Sequence, residues 1–259
     1  MLPADTLENR LVSLAQSPRL RAQTFATVAY GDARFPLRSF AWGDDALPAV
    51  YVLAGVHGDE PGGVEAALRL LESLADGAAP LTRHHLLVLP CLNPSGLADG
   101  TRANRIGQDI NRQFHADRTQ ESAAVRGSLD PRQAAALVDL HCDRQAQGFY
   151  LFELRQEGIG SLAAPILDAL TAQGHPLEEA PVYAGYVGRR GLFAPTTADL
   201  GQFHRRAPGL SLAEWAWENG IPRTYAMEAP AGNGGEWGSV MHLTALFALF
   251  AALEATKAE

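Results

Sequence analysis

The sequence predicts an α/β fold: a single domain built on a mixed, mostly parallel twisted sheet with helices on both faces. Three observations predict it. Ala49–Ala54, Leu86–Leu89 and Ala136–Leu140 are continuous apolar runs without alternation, as expected of strands buried on both sides. Pro61–Leu74 lies between two of them with helical spacing at Val64, Leu68 and Leu71. The 259 residues suffice to bury about 73% of the unfolded chain's surface without staples. In chain order, a short helix comes first, with Asp5 and Glu8 as a capping box and Leu7, Leu11 and Leu14 on one face. Ala26–Tyr30 and Phe35–Trp42 follow as a hairpin turned by Gly31-Asp-Ala. After the buried runs, Gly148–Leu154, Tyr183–Val187 and Tyr225–Glu228 read as further strands. Gly238–Glu254 reads as a closing helix with Val240, Leu243, Phe247 and Phe250 inward. The Gly- and Arg-rich stretch Gly185–Gly209 reads as a long ordered loop over a site.

Composition narrows the function. With 47% hydrophobic and 19% charged residues the chain falls in the globular class. A net charge of −8 argues against nucleic acid or an anionic membrane as partner. The longest wholly apolar run, Ala245–Leu253, is about half of what a bilayer-crossing helix needs. The N-terminus has neither the positive nor the apolar region of a secretory signal, so a cytoplasmic location is expected. Cys91 and Cys142 are too few for a disulfide framework and are expected as reduced thiols.

Chemistry concentrates in four segments. Leu53-Ala-Gly-Val-His57-Gly-Asp-Glu60-Pro61 runs a buried strand into a glycine-flanked turn with Pro61 where a helix starts, so His57 and Glu60 project from the carboxyl edge of the sheet. The spacing alone is weak, because His175-Pro-Leu-Glu178 repeats it with no strand to hold it. Val138-Asp-Leu-His141-Cys-Asp puts a second histidine directly after a buried strand. Two histidines and a glutamate form the donor set of catalytic zinc, with a fourth position left open. A capped core histidine is the plain alternative for His141 taken alone. Ile221-Pro-Arg-Thr-Tyr225-Ala-Met-Glu228 ends an apolar strand on a glutamate that is expensive to bury without a partner.

The remaining segment is Asn93-Pro94-Ser-Gly96 followed by Thr101-Arg102-Ala-Asn104-Arg105-Ile-Gly107-Gln-Asp109-Ile-Asn111-Arg112. With it, the sequence resembles the zinc carboxypeptidase superfamily, which includes the pancreatic-type carboxypeptidases, the bacterial murein peptide amidases and, more distantly, the succinylglutamate desuccinylase/aspartoacylase branch. The resemblance runs from about Thr27 to the C-terminus, and it implies the zinc carboxypeptidase-like fold. It implies one Zn2+ per chain on His57, Glu60 and His141, and Glu228 as general base and then acid. It implies Asp109 behind a zinc-ligating histidine, and Asn111 with Arg112 on a substrate carboxylate. Arg105 matches the family's carbonyl-polarising arginine, with Arg102 as the alternative. The family's mobile substrate-closing tyrosine has no clear counterpart; Tyr183 and Tyr186 are candidates. Ser95 stands where the family's Asn-Pro-x-Gly carries an acid. A nucleophilic role for Cys142 is set aside, because its histidine neighbour belongs to the metal set.

The resulting expectation is a zinc-dependent hydrolase that cleaves an amide next to a free carboxylate in small peptides, murein-derived ones among them. The rival is an N-acyl-amino-acid deacylase of the succinylglutamate desuccinylase/aspartoacylase type. That branch adds a β-rich C-terminal domain after its catalytic Glu, whereas here one helix is expected to follow Glu228. A non-catalytic binding protein on the same fold is the rival from another class; such proteins usually lose a ligand or the base, and all four residues are present. Oligomeric state is open.

Overall fold

The structure, a computed structural model, describes residues 4–115, 118–183, 185–196, 199–200, 203, 205, 208–232 and 236–256. Its centre is an eight-stranded sheet of order β1-β2-β4-β3-β5-β10-β6-β9. The strands are β1 (Arg21–Tyr30), β2 (Ala33–Trp42), β3 (Ala49–Ala54), β4 (His85–Leu89), β5 (Ala134–Asp143), β6 (Tyr150–Arg155), β9 (Leu192–Phe193) and β10 (Arg223–Pro230). The middle four, β4-β3-β5-β10, run parallel. The β1–β2 hairpin joins antiparallel through β2 on one side, and β6 joins antiparallel on the other. A separate two-stranded ribbon pairs β7 (Val182–Tyr183) with β8 (Tyr186–Val187).

Strand alternation divides the core into two layers. Val50, Val52 and Ala54 of β3, Ala136, Val138 and Leu140 of β5, and Tyr225, Met227 and Ala229 of β10 face one way. They pack on α2 (Pro61–Ala75), α5 (Ala163–Ala172) and the C-terminal helix Glu236–Ala255. Tyr51, Leu53 and Leu137 face the other way, against Val125 of α4 (Gln120–Ser128) and Trp215 of the helix Leu212–Glu218. Helices thus cover both faces, as the unalternating apolar strands required. On the second face β5 continues from Leu137 to Asp139 and His141, and β10 from Ala226 to Glu228.

Three local expectations are corrected. α1 (Ala4–Leu14) starts at Ala4, which puts Asp5 inside the helix, and the Glu8 carboxylate is taken bidentately by Arg38 at 2.6 Å; Leu7, Leu11 and Leu14 are buried as expected. The stretch Tyr183–Val187 is a tight ribbon of two-residue strands, not one strand. Of the four positions expected inward on the C-terminal helix, Phe250 is buried and Leu243 packs partly buried against the core, whereas Val240 and Phe247 are exposed; Met241, Ala245, Leu249 and Leu253 complete the buried face. That helix is apolar almost all round, so periodicity could not choose its inner face. It is long and apolar enough to cross a membrane by composition, but here it lies as a core helix against α2 and α5. β1 also extends back to Arg21 through exposed residues whose pairing to β2 is carried by backbone bonds. Within Gly185–Gly209, β8 and β9 are described, and residues 197–198, 201–202, 204 and 206–207 lie outside the described residues.

Candidate metal centre

The ends of three adjacent parallel strands build the site. β3 stops at Ala54, and Gly55 turns the chain with a φ of 68° that disfavours a side chain; a Cβ there would also meet Val64 at 2.7 Å. Gly58 is pressed against Gly96 so closely that a Cβ would fall 2.0 Å from the Gly96 carbonyl carbon. Asn93 closes this contact from the other side. Its N–H donates to the Gly55 carbonyl and its side chain caps α3 (Pro94–Asp99) through the Gly96 N–H. Ser95 accepts from the Arg105 N–H at 3.2 Å, so it shapes this loop. The turn therefore has one shape, and it delivers His57 and Glu60 to the edge just before α2 begins at Pro61.

His57, Glu60 and His141 are buried, and their candidate ligand atoms lie within 4.8 Å of one another. Glu60 sits in the middle: Oε1 is 2.8 Å from His57 Nδ1 and Oε2 is 3.0 Å from His141 Nδ1. Each outer ring nitrogen meets another carboxylate. His57 Nε2 is 3.3 Å from Asp109 Oδ1, and His141 Nε2 is 2.8 Å from Asp139 Oδ2. Asp109 is held in turn by the Asn111 N–H and by Arg102.

Two imidazoles flanked on both nitrogens by carboxylates call for positive charge between them. Burial opposes charging His57, but hydrogen bonds to Asp109 and Glu60 outweigh it and its pKa is raised; Asp139, Glu228 and Glu60 do the same for His141 against its burial. Burial would raise the Glu60 pKa, yet the two histidines hold it well below the usual carboxylate range. A divalent cation placed among the two Nδ1 atoms and Glu60 satisfies this demand without protons, while Asp109 and Asp139 orient the rings through Nε2. The donor set therefore fits a metal of the zinc type.

Glu228, on β10, lies in register with His141 of β5 on one side and Tyr150 of β6 on the other. Among the described residues nothing hydrogen-bonds its carboxylate. Burial, with Glu60 and Asp143 nearby, pushes its pKa up to about 8 against the pull of His141 and His57. Next to the metal set opens a cleft of about 320 Å³. Arg102, Asn111 and Arg112 line it, together with Phe152, Leu154, Leu200, Phe203, Ala213 and Ala226. The Asn111 side-chain oxygen Oδ1 accepts from the Leu212 N–H at 2.8 Å, and its amide nitrogen lies 3.4 Å from His141 Nε2. Arg112 donates to Tyr183 Oη at 3.0 Å.

A family model described as the succinylglutamate desuccinylase/aspartoacylase catalytic domain matches residues 46–179, just over half of the chain, and takes in the His57 turn, the Asp109 loop and His141. The chain belongs to this family. Over 74 residues it is 40% identical to murein peptide amidase A of Escherichia coli K12, a segment covering 29% of this chain and 28% of that protein. Over 126 residues it is 33% identical to the succinylglutamate desuccinylase of Burkholderia lata, covering 43% of this chain and 35% of that one. The matched segments thus span about a third or less of these curated relatives. The fold is shared with carboxypeptidase A of Helicoverpa armigera at a TM-score of 0.72 and 16% identity, over 98% of this chain and 74% of the insect one. The resemblance to the zinc carboxypeptidase superfamily is thereby shown.

Within this family framework one expected placement is corrected. Arg105 is not at the cleft: its guanidinium is exposed, bound by both Asp99 oxygens at 2.7 and 3.0 Å and lying over the Phe35 ring. Arg102 is the arginine that reaches the site, 3.3 Å from Glu60 Oε1 and 3.2 Å from Asp109 Oδ2. A turn at Asn104, whose side chain accepts from the Gln108 N–H, sends the two arginines in opposite directions. His175 and Glu178 stay away from the metal set, and Glu178 instead caps the Gln147 and Gly148 N–H groups. Burial, with Glu60 and Glu228 beside it, raises the Cys142 thiol pKa far out of the nucleophilic range. Asp139 was not singled out in the sequence. Its signal is an acid interrupting an apolar strand two residues before His141, hence on the same face.

Proposed function

We propose that this protein is a zinc-dependent hydrolase that cleaves an amide bond next to a free carboxylate, with small peptides as substrate class. The observation that carries the proposal is the cleft itself: the His57–Glu60–His141 set, Glu228, Asn111 and Arg112 all line one space. His57, Glu60 and His141 would hold one zinc per chain. When bound, zinc supplies Lewis acidity, polarising a carbonyl and making water easier to deprotonate.

The chain's own residues supply the rest. Arg112 and Asn111 dock the substrate carboxylate, where a planar guanidinium offers two parallel donors. That places the scissile carbonyl toward Arg102, which faces the developing negative charge. Glu228 takes a proton from the attacking water and returns it to the departing nitrogen, as a carboxylate lining the same space as the metal set can do. Phe152, Leu154 and Phe203 also line the cleft and would pack against an apolar side chain beside the docked carboxylate.

The family match supports a second reading, an N-acyl-amino-acid deacylase with the same metal and base. One comparison separates the two. A cleaved peptide is assayed as free acid and as C-terminal amide, with N-acetylaspartate and N-succinylglutamate alongside. Removing the charged partner of Arg112 is expected to cost ~1.5–3 kcal/mol, about 10- to 150-fold in kcat/KM. Equal rates on acid and amide would remove carboxylate docking from the proposal; faster turnover of the N-acyl compounds would assign the protein to the deacylase reading.

A further inference from the structure

We infer that His242 is a positioning residue for the metal centre, acting on Glu60 through the peptide group between His141 and Cys142. His242 is wholly buried on the C-terminal helix, its ring edge-on to Phe149 at 5.8 Å. Its Nε2 lies 2.8 Å from the His141 carbonyl oxygen. Facing an acceptor, that nitrogen carries the ring proton and donates. The other half of the same peptide plane, the Cys142 N–H, donates to Glu60 Oε2 at 3.0 Å. A single amide thus joins a histidine in the apolar layer to the central carboxylate of the site: imidazole N–H to carbonyl, amide N–H to carboxylate. Bonds in such a chain polarise one another, so the His242 donor strengthens the Cys142 hydrogen bond that aims Oε2. That oxygen is also the one 3.0 Å from His141 Nδ1, so its direction sets how Glu60 and His141 converge.

The rest of the His242 environment argues against a packing role. Its Nδ1 is buried without a partner among the described residues. An unpaired buried acceptor costs stability that a leucine or phenylalanine at this position would not incur. The one bond the ring makes goes to the backbone of a candidate ligand. Outer partners of this kind typically change metal affinity 10- to 100-fold when removed. The sequence pattern shows nothing of this, since His242 follows Met241 inside a helix that is apolar almost all round.

The inference rests on the metal-centre reading, and zinc stoichiometry of the unmodified protein tests that reading first and separately. The experiment then measures the zinc dissociation constant by chelator competition for wild type, His242→Phe and His242→Gln, with melting temperatures recorded alongside. His242→Phe keeps the ring volume and loses the donor, so its dissociation constant should rise about 10-fold or more. His242→Gln restores an amide N–H and should recover most of the loss. In wild type, long-range 1H–15N correlation should show His242 as the Nε2–H tautomer, and zinc addition should shift the Cys142 amide. An unchanged constant in His242→Phe, an equal loss in both variants, or an Nδ1–H tautomer would overturn the inference; if the Phe variant does not fold, the Gln variant and the tautomer decide it. A wild type that takes up no zinc overturns the metal-centre reading, and this inference with it.

Discussion

Strand β5 turns Ala136, Val138 and Leu140 to one side of the sheet and Leu137, Asp139 and His141 to the other. On the first side these residues belong to one hydrophobic cluster that runs through α2, α5 and the C-terminal helix. On the second, two residues further along the strand, Asp139 is wholly buried with its Oδ1 unpartnered among the described residues, and Glu228 stands in a cleft with its pKa raised. Alternation with a period of two lets a single strand serve both layers. One face contributes stability by burial, whereas the other holds charge in places that favour function over stability.

The largest effect should come from the ligands on the polar face. His57→Ala and His141→Ala should each remove bound zinc and abolish turnover, and each should lower the melting temperature of the metal-free protein because buried carboxylates lose their partner; elemental analysis and thermal melts read both. Full zinc retention in both variants would place the metal elsewhere. Next comes Glu228→Gln, which should keep zinc yet lose roughly 10²-fold or more in turnover. The same variant tests the stability difference between the faces through pH. In the folded, metal-free protein the Glu228 pKa is raised, so its contribution is fully present below the usual 4.5 and is lost as pH climbs toward about 8. The melting-temperature advantage of Glu228→Gln should therefore grow from pH 5 to pH 8 and then level off. An advantage that stays constant across that range would mean the carboxyl is not raised.

The apolar face should behave in the opposite way. Leu68→Ala, on α2 and fully buried, should lower unfolding free energy by about 2–5 kcal/mol with zinc content and KM unchanged below the melting transition. A loss of metal at full folding would show that the two layers are coupled. Arg105→Ala belongs to neither face and should leave kcat/KM nearly unchanged, since its guanidinium is held by Asp99 away from the cleft. Arg102→Ala should cost far more, and the reverse order would return the carbonyl-facing role to Arg105.

Much of this was legible before any coordinates. His57 and Glu60 are readable because a buried strand, a glycine turn and a helix-starting proline are local signals that together fix where those side chains emerge. His141 is readable for the same reason, and the parallel runs around it imply the sheet that brings them together. The sequence places the C-terminal helix to within two residues of Glu236–Ala255 and turns Leu243 and Phe250 correctly inward, but not Val240 and Phe247. Its hydrophobic pattern has no preferred side, and only the positions of α2 and α5 select one.

The sequence by itself determined which residue types stand at the carboxyl edge of the sheet, because strand ends, turns and alternation are set by neighbours a few positions away. The tertiary structure alone decided which arginine reaches the cleft, that Asp139 backs His141, and that His242 reaches the His141 carbonyl from 101 positions further along the chain. Those outcomes depend on how loops and helices far apart in the chain come to rest against one another, and no local pattern carries that information.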